Sequence, residues 1–158
     1  MADELKLPAL DPKTTEWFGR QVYPPPYDTA MTGRERRIIG DVLGLTQFGV
    51  NLGRLAPGAN SSLRHTHSAE DEFVLILTGT PTLVTDDGEQ LLGPGMMAGF
   101  PANSSDGHRL ENRSDAPTTY LEVGTRAAKD EVTYPDADLR LSKSDGERTF
   151  LHSDGTPY

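Results

Sequence analysis

Cysteine is absent from the sequence, and its absence excludes several kinds of site. None of the 158 residues is a cysteine, so disulfides, zinc–thiolate sites, iron–sulfur clusters and thiol nucleophiles are all excluded. The chain also lacks an apolar run near the roughly 18 residues that a membrane span requires. Its first residues lack the basic and apolar regions of a secretory signal. These absences predict a cytoplasmic protein without a membrane partner.

Positive charge is also scarce. Lys and Arg number 15 against 24 Asp and Glu, which gives a formal net charge of −9. Nucleic acids and anionic membranes select basic surfaces, so this balance argues against both as partners. The chain has no phosphate-binding loop of the G-x-x-x-x-G-K-S/T type, so hydrolysis of nucleoside triphosphates is not supported. A small-molecule ligand is the partner that remains.

Turn-forming residues are abundant by contrast. Gly and Pro number 16 and 12, while hydrophobic residues make up 35% of the chain. A single-domain chain of this composition favours an all-β fold over a helical bundle. The strand-like stretches are short and separated by Gly and Pro, which predicts a sandwich or a small barrel. They are residues 47–52, 73–77 and 118–123, and a hairpin of 82–85 and 89–92 with an Asp-Gly turn.

The chain divides into three segments. Residues 1–36 are rich in Pro and include Tyr-Pro-Pro-Pro-Tyr at 23–27. They predict an extended N-terminal arm, because proline removes a backbone donor and fixes φ. Residues 37–140 contain the strand-like stretches and are predicted to form the β-barrel. Residues 141–158 are polar and are predicted to form a C-terminal surface tail.

Histidine occurs in a pattern that suggests metal binding. His65 and His67 are two residues apart, a spacing that puts both imidazoles on one face of a strand. Glu72 follows at the start of an apolar stretch, and a short bend would bring its carboxylate beside the imidazoles. His108 lies 36 residues after Glu72, which is enough chain for an antiparallel meander to return beside the first strand.

Three neutral imidazoles and one carboxylate would suit Fe, Mn, Co, Ni, Cu or Zn as a divalent ion. Four protein ligands leave one or two positions open on a five- or six-coordinate metal, which is what a catalytic site needs. The alternative is that His65 and His67 are two surface histidines on an edge strand, because short motifs have many false matches.

Two stretches around these residues resemble the two motifs of the cupin superfamily. The first motif consists of Gly58, His65-Thr66-His67, Glu72 and Gly79. Six residues separate Gly58 from His65, four separate His67 from Glu72, and six separate Glu72 from Gly79. The start of the second motif is matched by Gly88 and Pro94, with five residues between them. Its end is matched by His108 and Asn112, with three residues between them. The resemblance covers roughly residues 45–125. It extends to small single-domain cupins described as sugar-phosphate (mannose-6-phosphate) isomerase-like.

The resemblance implies a fold, a cofactor and an assembly. Cupins are jelly-roll barrels, or double-stranded β-helices, that bind a metal ion on their inward faces. We therefore expect His65, His67, Glu72 and His108 to bind one divalent ion. The ion is Zn, Mn, Ni, Fe or Co, and the ligands alone do not decide among them. Cupins commonly pair through a sheet, which implies a homodimer.

Three functions are compatible with an open metal site in a barrel. The first is isomerase-type chemistry on a small oxygenated molecule such as a sugar or sugar phosphate, with a base that moves the proton. The second is Fe(II)-dependent dioxygenase chemistry. The third is a non-enzymatic binding or sensor protein. The sequence does not identify the catalytic base, and a fold by itself does not decide among these functions.

Three further residues are candidates for contact with a substrate. Tyr120 and Glu122 share a parity on a late strand and could face the cavity. Arg54 shares a parity with the apolar residues of an earlier strand and could bind an anionic group at the rim. Structural or solvent-facing roles are the alternative for all three residues.

Strand parity also predicts an apolar outer face. If Glu72 and the alternate residues after it face the barrel interior, Phe73, Leu75 and Leu77 point outward. An outward apolar row requires a cover. We expect the N-terminal arm or a second subunit to provide it, and a homodimer is favoured.

Overall fold

The computed structural model describes residues 5–158, and its regular secondary structure is almost entirely antiparallel strands. Helical structure among these residues is limited to a 3-10 turn at Pro12–Thr14 and to α1 at Ile39–Val42. The strands are β1 (Arg34–Ile38), β2 (Phe48–Leu55), β3 (Thr66–His67), β4 (Glu72–Thr78), β5 (Thr82–Thr85), β6 (Gly88–Leu91), β7 (Met97–Phe100), β8 (Arg109–Glu111), β9 (Thr118–Thr125), β10 (Lys129–Tyr134), β11 (Leu139–Ser144) and β12 (Glu147–Leu151). In this part of the chain, no helix has the length and apolar character that crossing a membrane demands.

The strands form three sheets whose order does not follow the sequence. The five-stranded sheet runs β1-β2-β9-β4-β7, the four-stranded sheet β12-β11-β10-β3, and the three-stranded sheet β6-β5-β8. A backbone bridge between His65 and His108 joins the segments that lead into β3 and β8. This architecture confirms the predicted all-β fold, and β5 and β6 form the predicted hairpin.

The sheets enclose two clusters of buried side chains. The first consists of Leu55, Ala59, Val74, Ile76, Leu83, Leu92, Leu110 and Tyr120. The second, on the four-stranded sheet, consists of Tyr23, Met31, Val132, Tyr134, Leu139 and Leu141. Val74 and Ile76 alternate along β4 with more exposed residues, because successive side chains of a strand point to opposite faces. The inner face of β4 therefore points into the barrel, where the candidate site lies.

The N-terminal segment closes one side of the barrel. The ring of Tyr23 packs edge-on against Tyr134 and Phe150, with centroids 5.4 and 6.0 Å apart. Phe18 forms a backbone bridge with Arg36 on β1. The arm is thus packed against the four-stranded sheet and against one edge of the five-stranded sheet.

The C-terminal segment differs from the predicted surface tail. β11 and β12 pair around a turn at Asp145 and Gly146, both of which have positive φ. Leu139 and Leu141 of β11 are buried. The pattern is hard to recognise because β12 is mostly polar and its apolar contacts come from the distant N-terminal arm. Residues 141–151 therefore belong to the barrel.

Gly53 on β2 allows the Tyr120 ring to lie directly against the backbone of the sheet. The two residues are cross-strand partners, and a Cβ at position 53 would overlap the ring. Tyr120 is 0% exposed, so the ring has no free space into which to move. Gly49 lies on the same face of the same strand, where a Cβ would have its nearest neighbour at 3.6 Å.

Gly53→Ala should lower the free energy of unfolding by about 1–3 kcal/mol, because the added methyl group overpacks the site. Gly49→Ala should leave stability unchanged or slightly higher, since alanine restricts the unfolded chain more than glycine does. Urea unfolding of the two variants measures both effects. Equal effects of the two substitutions would contradict the position of the Tyr120 ring.

Candidate metal centre

The four predicted metal ligands come together where β3, β4 and β8 meet. His67 ends β3, Glu72 begins β4, and His108 immediately precedes β8. The His65 N–H donates to the His108 carbonyl at 3.1 Å, and the His108 N–H donates to the His65 carbonyl at 3.0 Å. This pairing of distant segments brings the three histidines and Glu72 to one wall of the barrel interior.

The three imidazoles converge on one carboxylate oxygen. The Nε2 atoms of His108, His65 and His67 lie 2.8, 3.2 and 3.5 Å from Glu72 Oε2. The ligand atoms of His65, His67 and Glu72 all lie within 4.8 Å of one another. All four side chains line the same cavity. His65, His67 and Glu72 therefore form a compact ligand group, and His108 contacts the same Glu72 oxygen.

The hydrogen bonds of the other ring nitrogens indicate what the Nε2 atoms require. His65 Nδ1 lies 3.0 Å from the Leu63 carbonyl oxygen, and His67 Nδ1 lies 2.6 Å from Asp130 Oδ2. Both oxygens accept hydrogen bonds, so each Nδ1 carries a proton and each ring presents its Nε2 atom to Glu72. Contacts between Nε2 atoms and a carboxylate need positive charge, which either a proton or a divalent metal ion supplies. The donor set therefore fits the predicted cofactor.

Burial and the neighbouring imidazoles act in opposite directions on Glu72. Burial alone would raise the pKa of its carboxyl, but hydrogen bonds from His108 and His65 hold that pKa well below its usual range. Burial lowers the pKa of His108. Burial also acts to lower the pKa of His65, but the Glu72 carboxylate outweighs it and raises that pKa. A metal ion between the two groups would take the place of the proton that this contact favours.

Asp130 is a functional candidate that the sequence analysis missed. Its carboxylate accepts hydrogen bonds from His67 Nδ1, from the Ser68 hydroxyl at 3.2 Å and from the Ala69 N–H at 2.8 Å. Burial raises the pKa of Asp130, but these hydrogen bonds outweigh it and lower the pKa. One signal was available: Asp130 shares the inward parity of Val132, a buried core residue on the same strand. A carboxylate in a buried apolar row is costly unless it has such partners.

Phe100 fixes the plane of the His108 ring. The two rings are stacked, with centroids 3.5 Å apart and planes 2° from parallel. His108 Nδ1 is buried and has no hydrogen-bond partner among residues 5–158. Stacking and the contact of Nε2 with Glu72 therefore orient this imidazole, whereas His65 and His67 are also held by hydrogen bonds at Nδ1.

The metal centre opens into a cavity of about 670 Å³ between the sheets and the N-terminal arm. A volume of this size accommodates a small organic molecule. Its apolar walls include Phe18, Val22 and Leu141, and its polar walls include two serines, Ser61 and Ser62. The cavity therefore offers a small-molecule site that adjoins the candidate ligands.

The three predicted substrate contacts occupy different environments. Glu122 lines the cavity and accepts hydrogen bonds from Arg34 and Arg36 at 3.3 and 3.1 Å. Tyr120 belongs to the cavity wall but is completely buried, and its hydroxyl has no hydrogen-bond partner within the described chain. Tyr120 therefore supports the wall and does not present its hydroxyl to a ligand.

Arg54 lies outside the cavity. Its guanidinium is 4.5 Å from the centroid of the Trp17 ring, and its Nε donates to Glu35 at 3.0 Å. The buried residues of β2 are Gly53 and Leu55, so the parity that Arg54 shares with Leu52 belongs to the outer face. Arg54 therefore does not face a ligand in the cavity.

Comparison with known proteins decides the family. A cupin domain model matches residues 51–124. The chain is also similar to a solved structure from Silicibacter pomeroyi DSS-3, described as a sugar phosphate isomerase from a cupin superfamily. The two share 45% identity over 96% of each chain, with a TM-score of 0.92. The chain belongs to the cupin superfamily.

Other cupin-like structures are more distant. A protein from Acidithiobacillus ferrooxidans, named as a candidate sugar phosphate isomerase, is 26% identical over 88% of this chain and 96% of its own, with a TM-score of 0.73. The polyketide cyclase RemF of Streptomyces resistomycificus is 17% identical over 77% and 80% of the two chains, with a TM-score of 0.61, and shows the fold alone. Comparison with curated protein sequences gives no match. These similarities confirm the predicted cupin-type jelly-roll barrel.

Asp130→Asn should weaken metal binding about 10- to 100-fold, because it loosens the hydrogen bond that holds His67 with a free Nε2. Competition against a metal-chelating dye measures the change. Asp136→Asn is the matched control, since Asp136 pairs with Arg64 outside the metal centre. Both variants replace one aspartate carboxylate by an amide. If Asp130→Asn and Asp136→Asn bound metal equally well, Asp130 would have no role in metal binding.

Proposed function

We propose that this cupin binds one divalent metal ion through His65, His67, Glu72 and His108 and performs isomerase-type chemistry on a sugar or sugar phosphate. The observation that carries the proposal is the convergence of three Nε2 atoms on one carboxylate oxygen at the wall of a ligand-sized cavity. The description of the Silicibacter pomeroyi relative supports the substrate class.

Some residues of the site would bind the metal ion, and others orient the residues that bind it. When bound, a divalent ion polarises substrate oxygens and stabilises the negative charge that develops as a proton leaves the adjacent carbon. Glu72 offsets part of the charge of the ion. Asp130 keeps His67 in the tautomer whose Nε2 is free. Phe100 holds the His108 ring in its plane. The apolar part of the cavity limits access of water to the reacting atoms.

Untagged wild-type protein should contain close to one equivalent of divalent metal. The His65→Ala/His67→Ala variant should contain little, because the substitutions remove two of the four ligands. Elemental analysis of both proteins measures this difference. If neither protein holds metal after reconstitution with Zn, Mn, Ni, Fe and Co in turn, the proposal is wrong and a metal-free binding protein becomes the better interpretation.

The metal-loaded protein also allows the isomerase to be distinguished from the dioxygenase. Isomerisation of an aldose phosphate to a ketose phosphate is redox-neutral, so we expect product without oxygen uptake. Proton NMR of D-mannose 6-phosphate incubated with the protein, together with an oxygen electrode, measures both quantities. Oxygen uptake coupled to product formation would instead support the dioxygenase.

We also propose that the protein is a homodimer that pairs through the outer face of the five-stranded sheet. Leu52, Leu121, Leu75 and Met97 are successive cross-strand partners on this face. Met97 is 59% exposed. In the described part of the N-terminal arm, Trp17 stacks on Arg37 and Arg54 at the edge of the sheet. A second subunit would bury the remaining apolar row.

Leu75→Asp should convert the dimer to a monomer or make the protein insoluble, because it puts a charge at the centre of the apolar row. Analytical ultracentrifugation measures the mass in solution. Leu91→Asp is the matched control: Leu91 is 67% exposed but lies on β6, in a different sheet. A Leu75→Asp protein that remains a soluble dimer would rule out this interface.

A further inference from the structure

The cavity is basic although the chain as a whole is acidic. Five of the 15 basic residues line it, against four of the 24 acidic residues. The basic residues are Arg20, Arg34, Arg36, Lys143 and Arg148, and the acidic residues are Glu70, Glu72, Glu122 and Asp130. A divalent ion at the metal centre would add to the positive charge. The cavity therefore favours a negatively charged ligand that the rest of the surface repels.

Among the basic residues of the cavity, Arg34 and Arg36 share one carboxylate partner. Both side chains extend from the edge strand β1 to Glu122 on β9, where Arg34 Nη2 lies 3.3 Å from Oε2 and Arg36 Nη1 lies 3.1 Å from Oε1. Asn51 Nδ2 on β2 donates to the same Oε1 at 3.0 Å. These contacts hold the two guanidiniums in place before a ligand binds, which lowers the entropic cost of binding.

Among residues 5–158, the two guanidiniums carry one more charge than the single carboxylate that they contact. One carboxylate serves two guanidiniums, and the Arg34 side chain is only 10% exposed. Arg34 Nε has no hydrogen-bond partner in the described chain. The buried Tyr120 hydroxyl lies near this guanidinium, but no hydrogen bond of acceptable geometry joins the two groups. Glu122 alone cannot neutralise both guanidiniums, so an anion beside them would be stabilised.

The two arginines lie within reach of a ligand held at the metal centre. Glu122 is the cross-strand partner of Val74 on β4, and Glu72 is the preceding inward residue of that strand. Diagonal neighbours on one face of an antiparallel pair are about 7–8 Å apart. The guanidiniums beyond Glu122 are therefore separated from the metal ligands by about the length of a small organic molecule.

We propose that Arg34 and Arg36 bind the anionic end of the substrate, a phosphate or carboxylate group, while the metal centre engages oxygens at its other end. This inference rests on the proposed function, because it divides one ligand between two parts of the same cavity. A planar guanidinium suits this role because it offers paired N–H donors to an oxyanion. Glu122 and Asn51 act as positioning residues that orient the guanidiniums.

Inorganic phosphate tests this subsite, with isothermal titration calorimetry of the full chain as the measurement. Metal-loaded wild type should bind phosphate, and His65→Ala/His67→Ala should bind it too, because the subsite does not require metal. Arg36→Gln should bind phosphate about tenfold more weakly, since it loses a charge-assisted hydrogen bond. Arg34→Lys keeps the charge beside Glu122 but loses the planar donors, and should also bind more weakly. This second variant preserves the test if Arg36→Gln folds poorly.

Arg54→Gln is the matched control. It removes the same charge from the outer side of the same sheet, and its phosphate affinity should equal that of wild type. Equal weakening by Arg36→Gln and Arg54→Gln would overturn the proposal, because it would indicate a general effect of net charge. Unchanged binding in both Arg36→Gln and Arg34→Lys would overturn it too, as would an absence of phosphate binding in wild type.

Two further outcomes separate this inference from the proposed function. If phosphate binding disappears in His65→Ala/His67→Ala, the metal centre is the phosphate site and the arginine subsite is wrong. If wild type holds no metal yet binds phosphate through Arg36, the subsite stands and the metal-dependent function is wrong. Titration with acetate identifies the anion: tighter phosphate binding supports a phosphate monoester, and tighter acetate binding supports a carboxylate.

Discussion

The contact between the Glu72 carboxylate and three imidazole nitrogens is the interaction on which the site depends. Those nitrogens lie 2.8–3.5 Å from a single oxygen, and such proximity is stable only with positive charge among them. The barrel imposes the contact, because the bridge between His65 and His108 and the start of β4 bring three chain segments together. Asp130 and Phe100 then restrict how the imidazoles turn. The proposed metal binding would depend on this geometry, which the fold imposes.

The inside of the barrel differs in charge from the chain as a whole. The chain carries a net charge of −9, yet the cavity contains more basic than acidic side chains. Glu122 sits between the two parts of the cavity: burial raises its pKa, but Arg34 and Arg36 outweigh this effect and lower it. The ionised carboxylate holds both guanidiniums in place. An anionic ligand with oxygens at both ends would match the metal centre and the arginines together.

Local patterns allowed much of the fold to be predicted. The Asp-Gly turn predicted the hairpin of β5 and β6, and alternating or apolar runs predicted β2, β4 and β9. The spacing of His65 and His67 indicated one face of a strand, which is consistent with where the two imidazoles lie. Each of these signals acts over a few residues, where backbone sterics and side-chain parity suffice. The convergence of the four candidate ligands was predicted because the motifs around them resemble those of a known family.

The sequence by itself determined β2, β4, β9, the hairpin of β5 and β6, and the four residues that could bind a metal. The tertiary structure decided which face of each strand points inward. Parity divides β2 into two faces, but only pairing with β9 places the face with Gly53 inside and the face with Arg54 outside. Asp130 likewise reaches His67 because β10 pairs with β3. A period of two residues identifies two faces without orienting them, and long-range strand register supplies the orientation.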